Sequence, residues 1–161
     1  MCGIFALLNY NEITPKIIQN FSKGVNRGPE NSIIQLYNNN IIGFHRLAIN
    51  GLDSISNQPF EINGKILICN GEIYNFRNLA KINNISLKTA SDCEIIIYLY
   101  EKFGIEYTLN ILDGVFAFIL YDTLIEQIFV ARDPYGVRPL IYFKDNNHFG
   151  FASEIKTLYD L

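Results

Sequence analysis

The chain has 161 residues, 49% hydrophobic and 18% charged, with a net charge of −3. These proportions describe one globular domain with a sizeable core and exclude a disordered chain. No lysine/arginine run marks a nucleic-acid or membrane surface, and the longest apolar run, 115–121, falls far short of the ~20 residues that span a bilayer.

The chain begins Met1-Cys2-Gly3-Ile4-Phe5. Cys2 is small enough for Met1 to be trimmed, which leaves a thiol and a free α-amine on one residue. An α-amine has an ordinary pKa of ~7.7–8.0, so it can accept the thiol's proton near neutral pH. N-terminal threonine nucleophiles are activated in this way. Taken alone, so short a motif reads first as the start of an unreactive strand over 4–8. The N-terminus has no charged region followed by an apolar one, as a secretory signal would. Three cysteines, an odd number without regular spacing, fit reduced thiols, so a cytoplasmic location is expected.

Thr14-Pro15 reads as the cap and first residue of a helix, with Ile17, Ile18, Phe21 and Val25 on a buried face. Arg27-Gly28-Pro29-Glu30 breaks it. Strands at 32–37 and 41–47 form a hairpin across Asn38-Asn39-Asn40, and 50–59 is a loop. A strand over 65–69 runs into Asn70-Gly71-Glu72-Ile73-Tyr74-Asn75, which places Asn70 and Gly71 just past its end. Ser91-Asp92-Cys93-Glu94 has capping-box spacing ahead of a helix that Gly104 ends. Residues 114–122 are apolar at nearly every position, the pattern of a strand covered on both faces. Strands at 127–132, 139–144 and 148–152 and a short helix from Ser153 complete one domain over 1–161. Antiparallel strands buried on both faces imply stacked sheets with helices outside, an α+β arrangement. Cys69 and Cys93 read as buried, inert thiols. His45 and His148 are too scattered for a metal site, and no cofactor is expected.

In order along the chain stand Met1-Cys2-Gly3-Ile4-Phe5, Arg27-Gly28-Pro29-Glu30, His45-Arg46-Leu47-Ala48-Ile49, Gln58-Pro59, Asn70-Gly71-Glu72-Ile73-Tyr74-Asn75, Ser91-Asp92-Cys93-Glu94, Asp113-Gly114-Val115-Phe116-Ala117-Phe118, Arg132-Asp133-Pro134-Tyr135-Gly136-Val137-Arg138-Pro139-Leu140 and Phe151-Ala152-Ser153-Glu154-Ile155-Lys156. The ordered set resembles the class-II, N-terminal-nucleophile glutamine amidotransferases, in particular the glutaminase domain of asparagine synthetases. The resemblance implies an N-terminal-nucleophile hydrolase fold, a four-layer αββα sandwich of antiparallel sheets. It implies hydrolysis of L-glutamine to glutamate and ammonia through a thioester on Cys2. Asn70 and Gly71 match the oxyanion donors, Arg46 the clamp on the substrate α-carboxylate, and Asp92, with Glu72 nearby, the partner of its α-ammonium. Each also has a plainer reading: a tight turn for Asn70-Gly71, a surface ion pair for Arg46, helix-terminus electrostatics for Asp92.

Three features depart from the family. Asn26 stands where histidine is common before Arg-Gly-Pro. Gly51-Leu52-Asp53-Ser54 is only a fragment of the synthetase phosphate loop. The family's glutaminase domain also runs some strands past the Ala-Ser-Glu segment. A C-terminally shortened domain is therefore expected, without a synthetase domain and with an open sheet edge. That edge invites a homo-oligomer or a separate synthetase or acceptor subunit; nucleic-acid and membrane partners are not expected. The alternative to a glutaminase is an inactive remnant that binds glutamine or a partner.

Overall fold

The computed structural model describes residues 1–161. The first strand, β1 (Gly3–Leu8), is buried along nearly its whole length. Helix α1 (Pro15–Ser22) starts where its chemistry dictates: Pro15 occupies the first turn and Thr14 Oγ1 accepts from the amide of Ile17 at 3.3 Å. Its buried stripe is Ile17, Asn20 and Phe21. Ile18 and Val25, expected on that face, are exposed. The stripe of so short a helix is narrow, and Val25 belongs to a separate 3-10 turn, Val25–Arg27, so the helical spacing does not carry to it.

Strands β2 (Asn31–Tyr37) and β3 (Asn40–Arg46) form the expected hairpin. Its turn is shorter than expected: Tyr37 pairs with Asn40, and Asn38 takes a left-handed φ of 53°. A second hairpin, β4 (Phe60–Ile62) with β5 (Lys65–Ile73), was not expected. Its turn is Asn63-Gly64, both at positive φ (51° and 74°), the conformation that this dipeptide favours between strands.

Strand β5 does not stop at residue 69. It pairs with β6 (Gly114–Asp122) from Lys65↔Asp122 to Ile73↔Gly114. Asn70 and Gly71 therefore lie inside a central strand and not past its end. Gly71 is dictated by the pairing: a Cβ there would stand 2.5 Å from Val115 O and 2.7 Å from Phe116 Cα.

Helix α2 (Phe76–Ile82) was also unforeseen. The capping box at 91–94 does not form, since Ser91 caps nothing. Glu94 is fully buried and turns instead to the preceding loop, accepting from the amides of Lys88 (2.8 Å) and Thr89 (2.7 Å). Residues Asp92–Glu94 are a 3-10 turn leading into α3 (Ile95–Ile111). Gly104, at φ 78°, a conformation that favours glycine, interrupts α3, and a second helical stretch then runs on to Ile111. Strands β7 (Gln127–Arg132), β8 (Ile141–Lys144) and β9 (Phe149–Ala152) follow, and the expected last helix is a 3-10 turn, Ile155–Thr157.

Two antiparallel sheets result, ordered β2-β3-β1-β9-β8 and β4-β5-β6-β7. Between them pack Ile4, Ala6, Ile42 and Phe44 from one sheet and Ile66, Ile68, Ala117 and Ile119 from the other. The outer face of the first sheet holds Phe5, Leu7 and Ile41 against Ile17 and Phe21 of α1. The outer face of the second holds Leu67, Phe118 and Leu120 against α2 and α3. This is the expected αββα sandwich, and strand 114–122 is covered on both faces as its composition requires. No helix is long and apolar enough to cross a membrane.

Candidate active site

At one end of the sandwich, Cys2, Arg46, Asn70, Gly71 and Asp92 line a single cavity, together with Leu47, Asn50, Gln58 and Arg138. Each arrives from a different part of the fold. Cys2 precedes β1, Arg46 ends β3, Asn70 and Gly71 lie in β5, and Asp92 opens the turn before α3. The register Gly3↔His45 brings the start of β1 beside the end of β3, which seats Cys2 next to Leu47.

The Cys2 thiol lies 3.4 Å from both the amide nitrogen and the carbonyl oxygen of Leu47. Burial pushes this thiol above its ordinary value, against the opposing pull of the Leu47 amide, the N-terminal charge and Arg46. Met1 also lines the cavity, its thioether facing the Arg138 guanidinium, and Arg27 Nε donates to the Cys2 carbonyl at 2.9 Å. With Met1 in place, the nitrogen of Cys2 is a peptide nitrogen and not an amine.

Asn70 is 2% exposed, and its Nδ2 is buried with no hydrogen-bond partner. An unpaired buried amide costs free energy, so it marks a position where another group completes the arrangement. Arg46 is 8% exposed and Asp92 3% exposed, yet neither forms an ion pair. Arg46 donates to Gly51 O, to Asp53 O at 3.1 Å and to Asn57 Oδ1 at 2.5 Å. Asp92 accepts from the Ile73 amide at 2.5 Å and from Asn50 Nδ2 at 3.2 Å. Burial raises the Asp92 carboxyl above the usual range; the hydrogen bonds from Ile73 and Asn50 oppose this, while Glu72 adds to it. A buried cation and a buried anion, each satisfied only by neutral groups, thus share one cavity. Such a pair of walls complements a zwitterion.

Glu72 is the sequence candidate that the cavity does not gather. Its carboxylate pairs with Arg138 Nη2 at 3.1 Å, beside the cavity. Arg138 is in turn set by Asp133, which is buried and accepts from the amides of Phe116, Tyr135, Val137 and Arg138 at 3.0–3.2 Å. Burial raises the Asp133 carboxyl, but these four amides outweigh it and hold the group below the usual range. Asp133-Pro134-Tyr135-Gly136 is the turn that its composition announces, closed by Gly136 N to Asp133 O at 3.0 Å. Asn50, Gln58 and Arg138 were not foreseen as cavity residues. Gln58 and Arg138 stood in the quoted motifs without a role; Asn50 lies in a loop with no pattern to mark it. Gln58 ties that loop to β5, accepting from the Cys69 amide at 2.6 Å and donating to its carbonyl at 3.2 Å. Cys69 and Cys93 are buried, as expected. No group of His, Cys, Asp and Glu is arranged to hold a metal.

Comparison with known proteins identifies the family and the fold. The glutamine amidotransferase domain family model matches residues 1–161. The glutamine-hydrolysing asparagine synthetase of Gallus gallus is 41% identical over 170 residues, covering 100% of this chain and 30% of that protein. A probable glutamine-hydrolysing asparagine synthetase of Acanthamoeba polyphaga mimivirus is 39% identical over 171 residues, covering 100% of this chain and 31% of that protein. The chain thus spans about 30% of the length of these relatives. Among solved structures, the glutamine phosphoribosylpyrophosphate amidotransferase of B. subtilis, complexed with ADP and GMP, shares the fold. Its TM-score is 0.78 at 24% identity, over 98% of this chain and 43% of that one. The chain therefore belongs to the glutamine amidotransferase domain family, with the N-terminal-nucleophile fold and a sequence like that of asparagine synthetases.

Proposed function

We propose that this domain hydrolyses L-glutamine to glutamate and ammonia with Cys2 as the nucleophile. The observation that carries the reading is the shared cavity: a thiol, an unpaired amide donor, and two buried, unpaired, opposite charges. Arg46 takes the α-carboxylate of glutamine, for which the guanidinium fork is well shaped, and Asp92 takes the α-ammonium. The two charges fix the amino-acid end, and the side-chain carboxamide reaches the thiol.

Removal of Met1 converts the nitrogen of Cys2 into an α-amine. A buried thiol stays protonated at neutral pH, so it needs a base beside it, and the amine is that base. The thiolate adds to the carboxamide carbon, and the oxyanion forms where Asn70 Nδ2 and the Gly71 amide can donate. Donors prearranged in this way can each contribute ~10²–10³ in rate. The protonated amine returns its proton to the departing ammonia, and water then hydrolyses the Cys2 thioester to release glutamate. We further propose that the ammonia passes to a synthetase module, because the relatives quoted above are named as glutamine-hydrolysing asparagine synthetases.

The test combines intact mass with a glutaminase assay. Purified protein should lack Met1, release glutamate from glutamine, and lose that activity with Cys2→Ala. An electrophilic glutamine analogue should label Cys2 and spare Cys69 and Cys93. Retained Met1 together with glutamine binding but no hydrolysis would establish the binding-module alternative instead.

A further inference from the structure

We propose that Asn50 is a positioning residue for the α-ammonium of the substrate, holding one oxygen of Asp92 and offering its own amide oxygen as a second acceptor. This inference rests on the glutaminase reading of the cavity and assigns a specificity role to a residue outside the matched motifs. Asn50 lies four residues beyond Arg46, on the loop between β3 and β4, and lines the cavity. Its Nδ2 is 3.2 Å from Asp92 Oδ1, while Asp92 Oδ2 is held from the other side by the Ile73 amide.

An ionised carboxylate has no proton to give, so the face of the Asn50 amide turned to Asp92 must be its NH2 group. The orientation of the amide follows: its carbonyl oxygen points elsewhere, and no protein donor takes it. Each carboxylate oxygen has room for two donors. Asn50 supplies one donor to Asp92 Oδ1 and Ile73 one to Oδ2, so the carboxylate keeps acceptor capacity for a further donor. An ammonium carries three protons and no acceptor, the complement of such a group.

The loop does not need this bond to keep its shape. Arg46 already ties it at Gly51 O, Asp53 O and Asn57 Oδ1, and Gln58 fixes its far end to β5. Asn50 itself is exposed. A hydrogen bond from an exposed loop side chain to a buried carboxylate is thus spare for folding and placed for binding.

The experiment uses the full chain after loss of Met1. Asn50→Leu preserves the side chain's shape and Asn50→Ala removes it. Both are compared with the parent on L-glutamine and on glutaramic acid, which is glutamine without its α-amino group, used as an inhibitor. The expected result is a KM for glutamine raised about 10-fold with kcat within about twofold, and an inhibition constant for glutaramic acid changed less than twofold. In an Asp92→Asn background, Asn50→Leu should add little, because the two residues act on one group. Equal weakening of glutamine and glutaramic acid, or an unchanged KM, overturns the inference. If Asp92→Asn weakens glutamine and Asn50→Leu does not, only the role of Asn50 fails. If Asp92→Asn also leaves KM unchanged, the zwitterion reading of the cavity fails with it.

Discussion

Arg46 and Asp92 stand on two walls of one cavity, oppositely charged and both buried, and neither is neutralised by the other or by any ion pair. Desolvated charges without counter-ions are costly to a fold. Keeping two of opposite sign apart is what the recognition of a free amino acid requires.

Asp92→Asn should abolish tight glutamine binding, raising KM by about 100-fold, while leaving the unliganded protein as stable or more stable at neutral pH. Burial raises the folded-state pKa of Asp92 above its unfolded value. Its favourable contribution is then fully present below the unfolded value, near pH ~4, and is lost as pH rises through the raised one. Asparagine does not titrate, so the variant should gain on the parent as pH rises through that window. Paired thermal melts across the range check this. A variant that loses stability relative to the parent as pH rises would contradict the sign.

Asn70→Ala removes a donor that is unpaired in the free protein, so it should lower kcat by about 100-fold with little change in KM. Arg46→Lys keeps the charge but loses the fork, and it should chiefly raise KM. Steady-state kinetics separate the two; the same pattern in both variants would refute the division of roles.

Gly71→Ala should destabilise the domain by about 1–3 kcal/mol, because the new Cβ would sit 2.5 Å from Val115 O in the neighbouring strand. Urea unfolding should show a lower midpoint. Any remaining folded protein should also show reduced kcat, since separating β5 from β6 displaces the Gly71 amide.

Asp133→Ala strips the shared acceptor from four backbone amides and should cost about 3 kcal/mol at neutral pH. The folded-state pKa of Asp133 lies below its unfolded value. Its contribution is therefore present above the unfolded value and is lost as pH falls through the folded one. The gap between parent and variant should shrink in acid, which chemical unfolding at several pH values would register. A gap that widens in acid would overturn the assignment.

Much of this protein was legible in its sequence. Apolar runs such as 114–122 and the Thr14-Pro15 helix start announce buried strands and a capped helix, because periodicity and backbone chemistry are local. The ordered motifs named the family and five of the cavity residues. The hairpin across Asn63-Gly64 was also written in the chain, as the dipeptide that suits a two-residue turn, although β4 is too short to stand out. Other features were decided only by tertiary contacts. The extension of β5 through Asn70 and Gly71 needs the full length of β6 beside it, since polar residues inside a strand look like its end until a partner strand is present. The unformed capping box reflects the deep burial of Glu94, which makes loop amides better partners than a helix start. Glu72 turns to Arg138, 66 residues away, and Asn50 turns to Asp92, 42 residues away. No local pattern encodes pairs that distant; they exist because the fold brings the loops that follow β3 and β7, the turn before α3 and part of β5 to one cavity.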